Sequence, residues 1–171
     1  SQAPLYDLAL ANGQLVATLN QTKVSLLTRL RGDRGQRGTR RTLQYYFVAQ
    51  DIHERASSSH IQYQTLRDQF RYSDVMFRFQ RMLSMQAQAC QKLSRAILLR
   101  EPYQHDAHFE RAFMHLDAAL ERVRAGGASD EQLNALGYLL NNLRAIDAQL
   151  ATIESVQTTA PAGSNTETLL A

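Results

Sequence analysis

Hydrophobic residues recur every three or four positions along most of this chain, which is the spacing of amphipathic helices. The first such segment is Leu5–Leu30. A second begins near Arg40 and is predicted to end at about Ser58, because the serines there compete for backbone hydrogen bonds. A short helical segment is predicted to follow, through Phe70.

Three further helices have recognisable boundaries. They are predicted to begin at Ser73–Asp74, Asp106 and Ser129 and to end near Arg100, Gly126–Gly127 and Ser155. Gln132 lies three residues after Ser129, which is the spacing of a capping box. No segment alternates convincingly with a period of two. The predicted fold class is therefore all-α, a mostly antiparallel bundle of five or six helices.

Composition divides the chain into two parts. Residues 1–156 are predicted to form one helical soluble domain, since 171 residues suit a single core and no stretch approaches ~20 consecutive apolar residues. Residues 157–171 are rich in Thr and Ala, include single Pro, Gly, Ser and Asn residues, and are predicted to be a disordered tail or linker. Cys90 is the single cysteine and cannot form an internal disulfide, which agrees with a reducing compartment.

Positive charge is concentrated in one segment, although the net charge is only +3. This arginine-rich segment, residues 29–41, holds six arginines and a single acid, giving a local charge of +5. Its arginines are Arg29, Arg31, Arg34, Arg37, Arg40 and Arg41. Such a basic loop can bind nucleic-acid phosphates, an anionic membrane surface or an acidic partner, or it can simply be solvated. The pattern alone leaves these alternatives open.

The second predicted helix also carries a dense set of ionisable side chains. They are Asp51, His53, Glu54 and Arg55, with His60 close by. Asp51 and Arg55 are four residues apart and can pair along a helix, whereas adjacent residues point about 100° apart. The spacing favours a structural or interfacial polar network over a catalytic site.

No motif in the chain indicates catalysis or a cofactor. The chain has no paired Glu-x-x-His motifs of di-metal bundles, no Walker-type phosphate loop and no Gly-x-Ser-x-Gly. His105, His108 and His115 are expected to be solvated or hydrogen-bonded. Cys90 lies on an apolar stripe and is expected to be a small core residue. We therefore expect no enzymatic activity, no cofactor and no metal.

Three stretches of the chain resemble a known family. Residues 51–60 read DIHERASSSH and are followed by Tyr63, residues 73–81 read SDVMFRFQR, and residues 141–147 read NNLRAID. Across residues 1–156 the chain resembles the soluble domain of YccS/YhfK-type bacterial inner-membrane proteins, and more closely the YhfK branch. These proteins belong to the broader superfamily of fusaric-acid-resistance (FUSC) and aromatic-acid-exporter-like proteins.

The resemblance implies a cytoplasmic helical domain of an inner-membrane, efflux-type transporter, with a role in assembly, gating or partner binding. The implied partners are membrane helices of the same full-length chain. Anionic lipid headgroups and a second copy of the chain are further candidates, and nucleic acid is not favoured. The alternative is a free-standing helical module that binds nucleic acid or another polyanion through the arginine-rich segment, with an affinity that falls steeply with salt.

Overall fold

The computed structural model describes residues 37–70, 73–99 and 101–158, together with the single position 17. Within these residues the chain forms four helices. They are α1 (Arg37–Arg67), α2 (Asp74–Leu99), α3 (His108–Ala125) and α4 (Asp130–Thr158). Apart from position 17, the predicted helix Leu5–Leu30 lies outside the described residues, as does the predicted tail beyond Thr158.

The all-α class is confirmed for the described residues, but the predicted count of five or six helices is not matched. One reason is that α1 continues through the serines at which it was predicted to end. The hydroxyl of Ser57 donates to the carbonyl of His53 (3.1 Å), and the hydroxyl of Ser59 donates to the carbonyl of Arg55 (2.8 Å). Because these hydroxyls bond within their own helix, they do not draw the backbone out of it. The prediction of a helix end near Ser58 is therefore wrong.

The described helices pack as antiparallel neighbours. α1 packs mainly against α4 and α2 mainly against α3, while α4 also contacts α2 and α3. Asp51 of α1 bonds Gln149 of α4, and Ser59, further along α1, bonds Asn142, which comes before Gln149 in α4. α1 and α4 therefore run in opposite directions. α4 thus contacts each of the other three helices.

The core lies between these helices and contains large aliphatic and aromatic side chains from all four. The largest fully buried members are Phe79, Ile52, Met82, Leu83, Leu93, Leu116, Leu136, Leu139, Leu143 and Ile146. Full burial of one such side chain contributes roughly 1.5–3 kcal/mol. The core therefore supplies most of the driving force that holds the polar contacts described below in register.

Local hydrogen bonds mark the start of α4 as the sequence predicts, whereas α3 begins at His108, two residues after its predicted start at Asp106. Ser129 Oγ accepts from the backbone N–H of Gln132 (3.1 Å), and Gln132 Oε1 accepts from the backbone N–H of Ser129 (3.0 Å), so the capping box is confirmed. Asp106 Oδ1 accepts from the backbone N–H of His108, the first residue of α3, at 2.9 Å. Gly127 follows α3 with φ at 88°, a conformation that favours glycine.

Among the residues that the structure describes, no helix combines the length and the apolar character needed to cross a lipid bilayer.

Candidate functional site

A polar cluster joins α1 to α4 near the middle of both helices. Arg55 Nε donates to Asp51 Oδ2 at 3.0 Å, and Gln149 Nε2 of α4 donates to the same oxygen at 3.1 Å. Arg55 Nη1 also lies 3.4 Å from Asn142 Oδ1. The predicted pairing of Asp51 with Arg55 along α1 is therefore present, and this pair also contacts α4.

Asn142 makes the shortest contacts between the two helices in this cluster. Its side-chain nitrogen donates to the backbone carbonyl of Arg55 (2.9 Å) and to Ser59 Oγ (2.8 Å). Ser59 is completely buried, so its hydroxyl depends on protein partners alone. We call Asp51, Arg55, Ser59, Asn142 and Gln149 the α1–α4 clamp.

The other predicted members of the polar network are placed differently. His53 is half-buried, Glu54 is exposed and His60 is half-buried. His60 Nδ1 is shielded from solvent and has no hydrogen-bond partner among the described residues. The structure thus brings Asp51 and Arg55 into the clamp, while Glu54 points to solvent.

Three clamp residues were not among the predicted site residues: Ser59, Asn142 and Gln149. Asn142 was visible only as part of the NNLRAID stretch that carries the family resemblance. A signal that could have found it is its position beside the apolar stripe of α4, next to the buried Leu143. A polar side chain at such a position needs a partner on the facing helix.

The predicted anionic-surface residues are mostly not placed by the structure. Arg29, Arg31 and Arg34 lie outside the described residues. Arg37, Arg40 and Arg41 belong to the first turns of α1, and only their backbone is described. α1 begins at Arg37, three residues before its predicted start near Arg40, so the end of the arginine-rich segment is helical. Contact of this segment with an anionic surface remains a prediction.

A second polar cluster fastens the connection before α3 to α4. His105 Nε2 lies 2.5 Å from Asp147 Oδ1, and the backbone N–H of His105 donates to Glu154 Oε2 at 2.5 Å. Tyr103 Oη lies 3.0 Å from His105 Nδ1. Burial raises the pKa of Tyr103, so the phenol keeps its proton at neutral pH.

The His105 ring also packs on Phe109, with ring centroids 4.7 Å apart and planes 9° from parallel. The expectation of hydrogen-bonded or solvated histidines is confirmed, because His108 Nδ1 lies 2.7 Å from Asp106 Oδ1 and His115 is exposed. Within the part of the chain that the structure describes, no group of three or more His, Cys, Asp or Glu side chains is arranged to hold a metal ion.

An open groove of about 470 Å³ lies beside His105, between α3 and α4. Phe113 and Met114 form part of its wall, together with Asp117, Arg144 and Asp147. Arg144 Nη2 pairs with Asp117 Oδ2 at 2.5 Å, and the guanidinium carbon lies 4.8 Å from the centroid of the Phe113 ring. The contact holds α3 against α4 across the groove.

Cys90 is a core residue, as predicted. It is buried, and removal of the thiolate from water raises the pKa of its thiol to about 12. The thiol is therefore protonated at neutral pH and shielded from solvent.

Comparisons with known proteins add the family to this geometry. The family described as "FUSC-like inner membrane protein yccS" matches residues 1–150. An Escherichia coli (strain K12) protein named "Inner membrane protein YccS" is 78% identical over 171 residues, which is 100% of this chain and 24% of that protein. A Haemophilus influenzae "Uncharacterized protein" is 36% identical over 145 residues, 84% of this chain and 20% of that protein. No solved structure matches.

These matches support the resemblance that the sequence motifs carry. The relative with 78% identity bears the YccS name, and the expected closeness to the YhfK branch is not confirmed. The chain spans about a quarter of the length of the E. coli relative and a fifth of the H. influenzae relative. With a family match that covers most of its length, the chain belongs to the FUSC-like family of YccS-type inner-membrane proteins.

Proposed function

We propose that this chain is a cytoplasmic helical domain of an inner-membrane, efflux-type transporter, in which it serves assembly, gating or partner binding. The family match over residues 1–150 supports the membrane context, and the resemblance to exporter-like proteins supports transport. The proposed partners are membrane helices of the same full-length chain, since the E. coli relative is about four times as long as the aligned part. In this proposal the domain has no catalytic role.

The observation that carries the proposed role is the α1–α4 clamp. α1 and α4 have 31 and 29 residues, so each is roughly 45 Å long at 1.5 Å per residue. The clamp fixes their axial register through short bonds from Asn142 to the buried Ser59 and to the α1 backbone. A force or displacement applied at the N-terminal end of α1 would therefore be passed to α4 rather than dissipated by sliding. This stiffness is what the proposed assembly or gating role would use.

The role of the clamp can be tested in a full-length relative that carries the Asn142→Ala substitution. We expect this variant to lower the amount of correctly assembled protein extracted from membranes in mild detergent, as measured by native electrophoresis. The adjacent Asn141 is exposed on the same helix, so Asn141→Ala is the matched control. Equal assembly of both variants would remove the clamp from the proposed role.

The cytoplasmic side can be tested with reporters inserted into the exposed turn at Gly126–Gly127 of a full-length relative. Such turns tolerate insertions because few contacts are lost. We expect a green fluorescent protein inserted there to fluoresce and an alkaline phosphatase inserted there to be inactive. Active phosphatase without fluorescence would place the domain in the periplasm and would refute the proposal.

The arginine-rich segment is proposed to face the anionic inner leaflet. Its local charge of +5 supports this, because juxtamembrane basic residues are attracted to anionic lipids. A variant with Arg31, Arg34 and Arg37 changed to serine should cosediment less with anionic vesicles at low salt. The matched control changes Arg111, Arg122 and Arg124 to serine, which removes three positive charges from exposed positions on α3. Unchanged binding of the first variant would remove this role from the segment.

A further inference from the structure

The solvent-facing side of α2 carries one continuous stripe of exposed side chains. Its members are Asp74, Phe77, Arg81, Gln88, Gln91, Lys92, Arg95 and Leu99, and they are the exposed residues of this helix in the described part of the chain. At 100° per residue they lie within an arc of about 100° around the helix axis. From Phe77 to Leu99 the stripe is about 33 Å long. We call it the α2 face.

The charged members of the α2 face are all positive except the first, Asp74. Beyond Asp74 its charged members are Arg81, Lys92 and Arg95. The carboxylate of Asp74 is engaged by Arg122 of α3 and lies 3.5 Å from Arg78 Nε, so its negative charge is offset locally. Arg95 Nε forms a loose ion pair with Glu101 at 3.9 Å, and because both side chains are more than half exposed, another anion can displace the carboxylate.

Two large apolar side chains lie at the two ends of this cationic stripe. Phe77 is 56% exposed and Leu99 is 55% exposed. The α2 face thus combines cations in its middle with exposed apolar side chains at its ends. This combination suits the surface of an anionic lipid bilayer. There the cations meet headgroup phosphates and the apolar side chains enter the boundary with the acyl chains. A single-stranded nucleic acid would use the cations and can stack a base on Phe77, but it would leave Leu99, at the other end of the stripe, without a partner.

We propose that the α2 face docks the bundle on the surface of an anionic lipid bilayer. Arg81, Lys92 and Arg95 contact the headgroup phosphates, and Phe77 and Leu99 insert at the ends of the contact. This contact is separate from the arginine-rich segment. It rests on the proposed function in one respect, because the cytoplasmic leaflet supplies the anionic headgroups.

Cosedimentation with vesicles tests the cationic part of the contact. The probe is the chain at low salt with equimolar phosphatidylglycerol and phosphatidylcholine, compared with phosphatidylcholine alone. A basic residue near such a surface contributes about 1 kcal/mol, or roughly fivefold in partitioning, so Arg81→Gln with Arg95→Gln should weaken binding roughly 30-fold. Arg111→Gln with Arg124→Gln removes the same charge from exposed positions on α3 and should change binding far less.

A second pair of variants tests insertion of the apolar side chains. Phe77→Ser with Leu99→Ser should weaken binding to anionic vesicles at least several-fold. Met114 and Tyr138 are 65% and 69% exposed on α3 and α4, so changing both to serine is the matched control. Circular dichroism of each variant establishes that the helices are retained before binding is compared.

The outcomes separate the surface from its alternatives. If the α2 variants bind vesicles as well as their α3 and α4 controls do, the proposal is overturned. If only the arginine pair matters and the chain binds single-stranded RNA with the same dependence on Arg81 and Arg95, the partner is nucleic acid and the lipid assignment is wrong. The reporter insertions at Gly126–Gly127 decide the side of the membrane independently, so failure of the proposed function can be told apart from failure of this contact.

Discussion

Replacing Asn142 by alanine should loosen α1 from α4 without disturbing the apolar core. Asn142 is half-buried, and its side chain donates to the Arg55 carbonyl (2.9 Å) and to Ser59 Oγ (2.8 Å). Alanine retains the helix but removes both donors. The buried Ser59 hydroxyl keeps its own bond to the Arg55 carbonyl and loses the one from α4.

The expected loss can be worked from these contacts. Two hydrogen bonds at about 1 kcal/mol each give about 2 kcal/mol. The 3.4 Å contact with the Arg55 guanidinium adds little, because that side chain is 40% exposed and screened by solvent. Alanine has a higher helix propensity than asparagine, which offsets about 0.5 kcal/mol. The net decrease in the free energy of unfolding should be about 1.5 kcal/mol.

Urea unfolding followed by circular dichroism in the far ultraviolet measures this change. With an m-value of about 2 kcal/mol/M, the midpoint should fall by roughly 0.8 M. Asn141→Ala, one residue earlier and exposed, should leave the midpoint unchanged or slightly higher. A double-mutant cycle with Ser59→Ala should show a coupling of about 1 kcal/mol between Ser59 and Asn142. Equal midpoints for Asn142→Ala and Asn141→Ala would refute the role assigned to the clamp.

Single residues carry three further predictions. Gly127→Ala should lower the free energy of unfolding by about 1 kcal/mol, because φ at Gly127 is 88°. Gly137→Ala should raise it by about 0.5–1 kcal/mol, because Gly137 lies within α4 and an added Cβ meets nothing within 4 Å. Urea midpoints of the two variants that shift in the same direction would contradict this. With a pKa of about 12 and a buried position, Cys90 should react with Ellman's reagent at mildly alkaline pH much more slowly in the folded chain than in urea, and equal rates would disprove its burial. The hydrogen bond from the backbone N–H of His108 lowers the pKa of Asp106 below its usual value of 3.8, so the stabilisation that this carboxylate gives above pH 3.8 is lost as pH falls through its folded pKa. Asp106→Asn should therefore reduce the drop in the urea midpoint between about pH 5 and about pH 3, and an unchanged drop would contradict this assignment.

Much of the described fold could be predicted because its signals are local. The start of α4 follows from the Ser129 and Gln132 pair, whose reciprocal bonds depend only on side chains three residues apart. The end of α3 follows from Gly126–Gly127. The end of α1 could not be predicted from propensity, because Ser57 and Ser59 bond back to the carbonyls of the preceding turn and stay helical.

The polar contacts were predicted only where both partners lie on one helix. Asp51 and Arg55 are four residues apart, so their pairing is readable from spacing. Asn142 lies 83 residues from Ser59, and its role depends on the register of α4 against α1. His105 and Asp147 are likewise 42 residues apart and meet only because the loop before α3 passes α4. Such pairings require the tertiary packing that spacing along the chain does not contain.

The side of the membrane is the central claim and can be measured directly in a full-length relative with Ser58→Cys. Ser58 is exposed on α1, whereas Cys90 is buried and contributes little labelling. Intact cells are treated with a membrane-impermeant maleimide before and after the inner membrane is permeabilised, and labelling of the unsubstituted protein is subtracted. We expect the introduced thiol to be protected in intact cells and labelled after permeabilisation, as a cytoplasmic domain requires. Equal labelling before and after permeabilisation would place the domain outside the cytoplasm and contradict the proposed function.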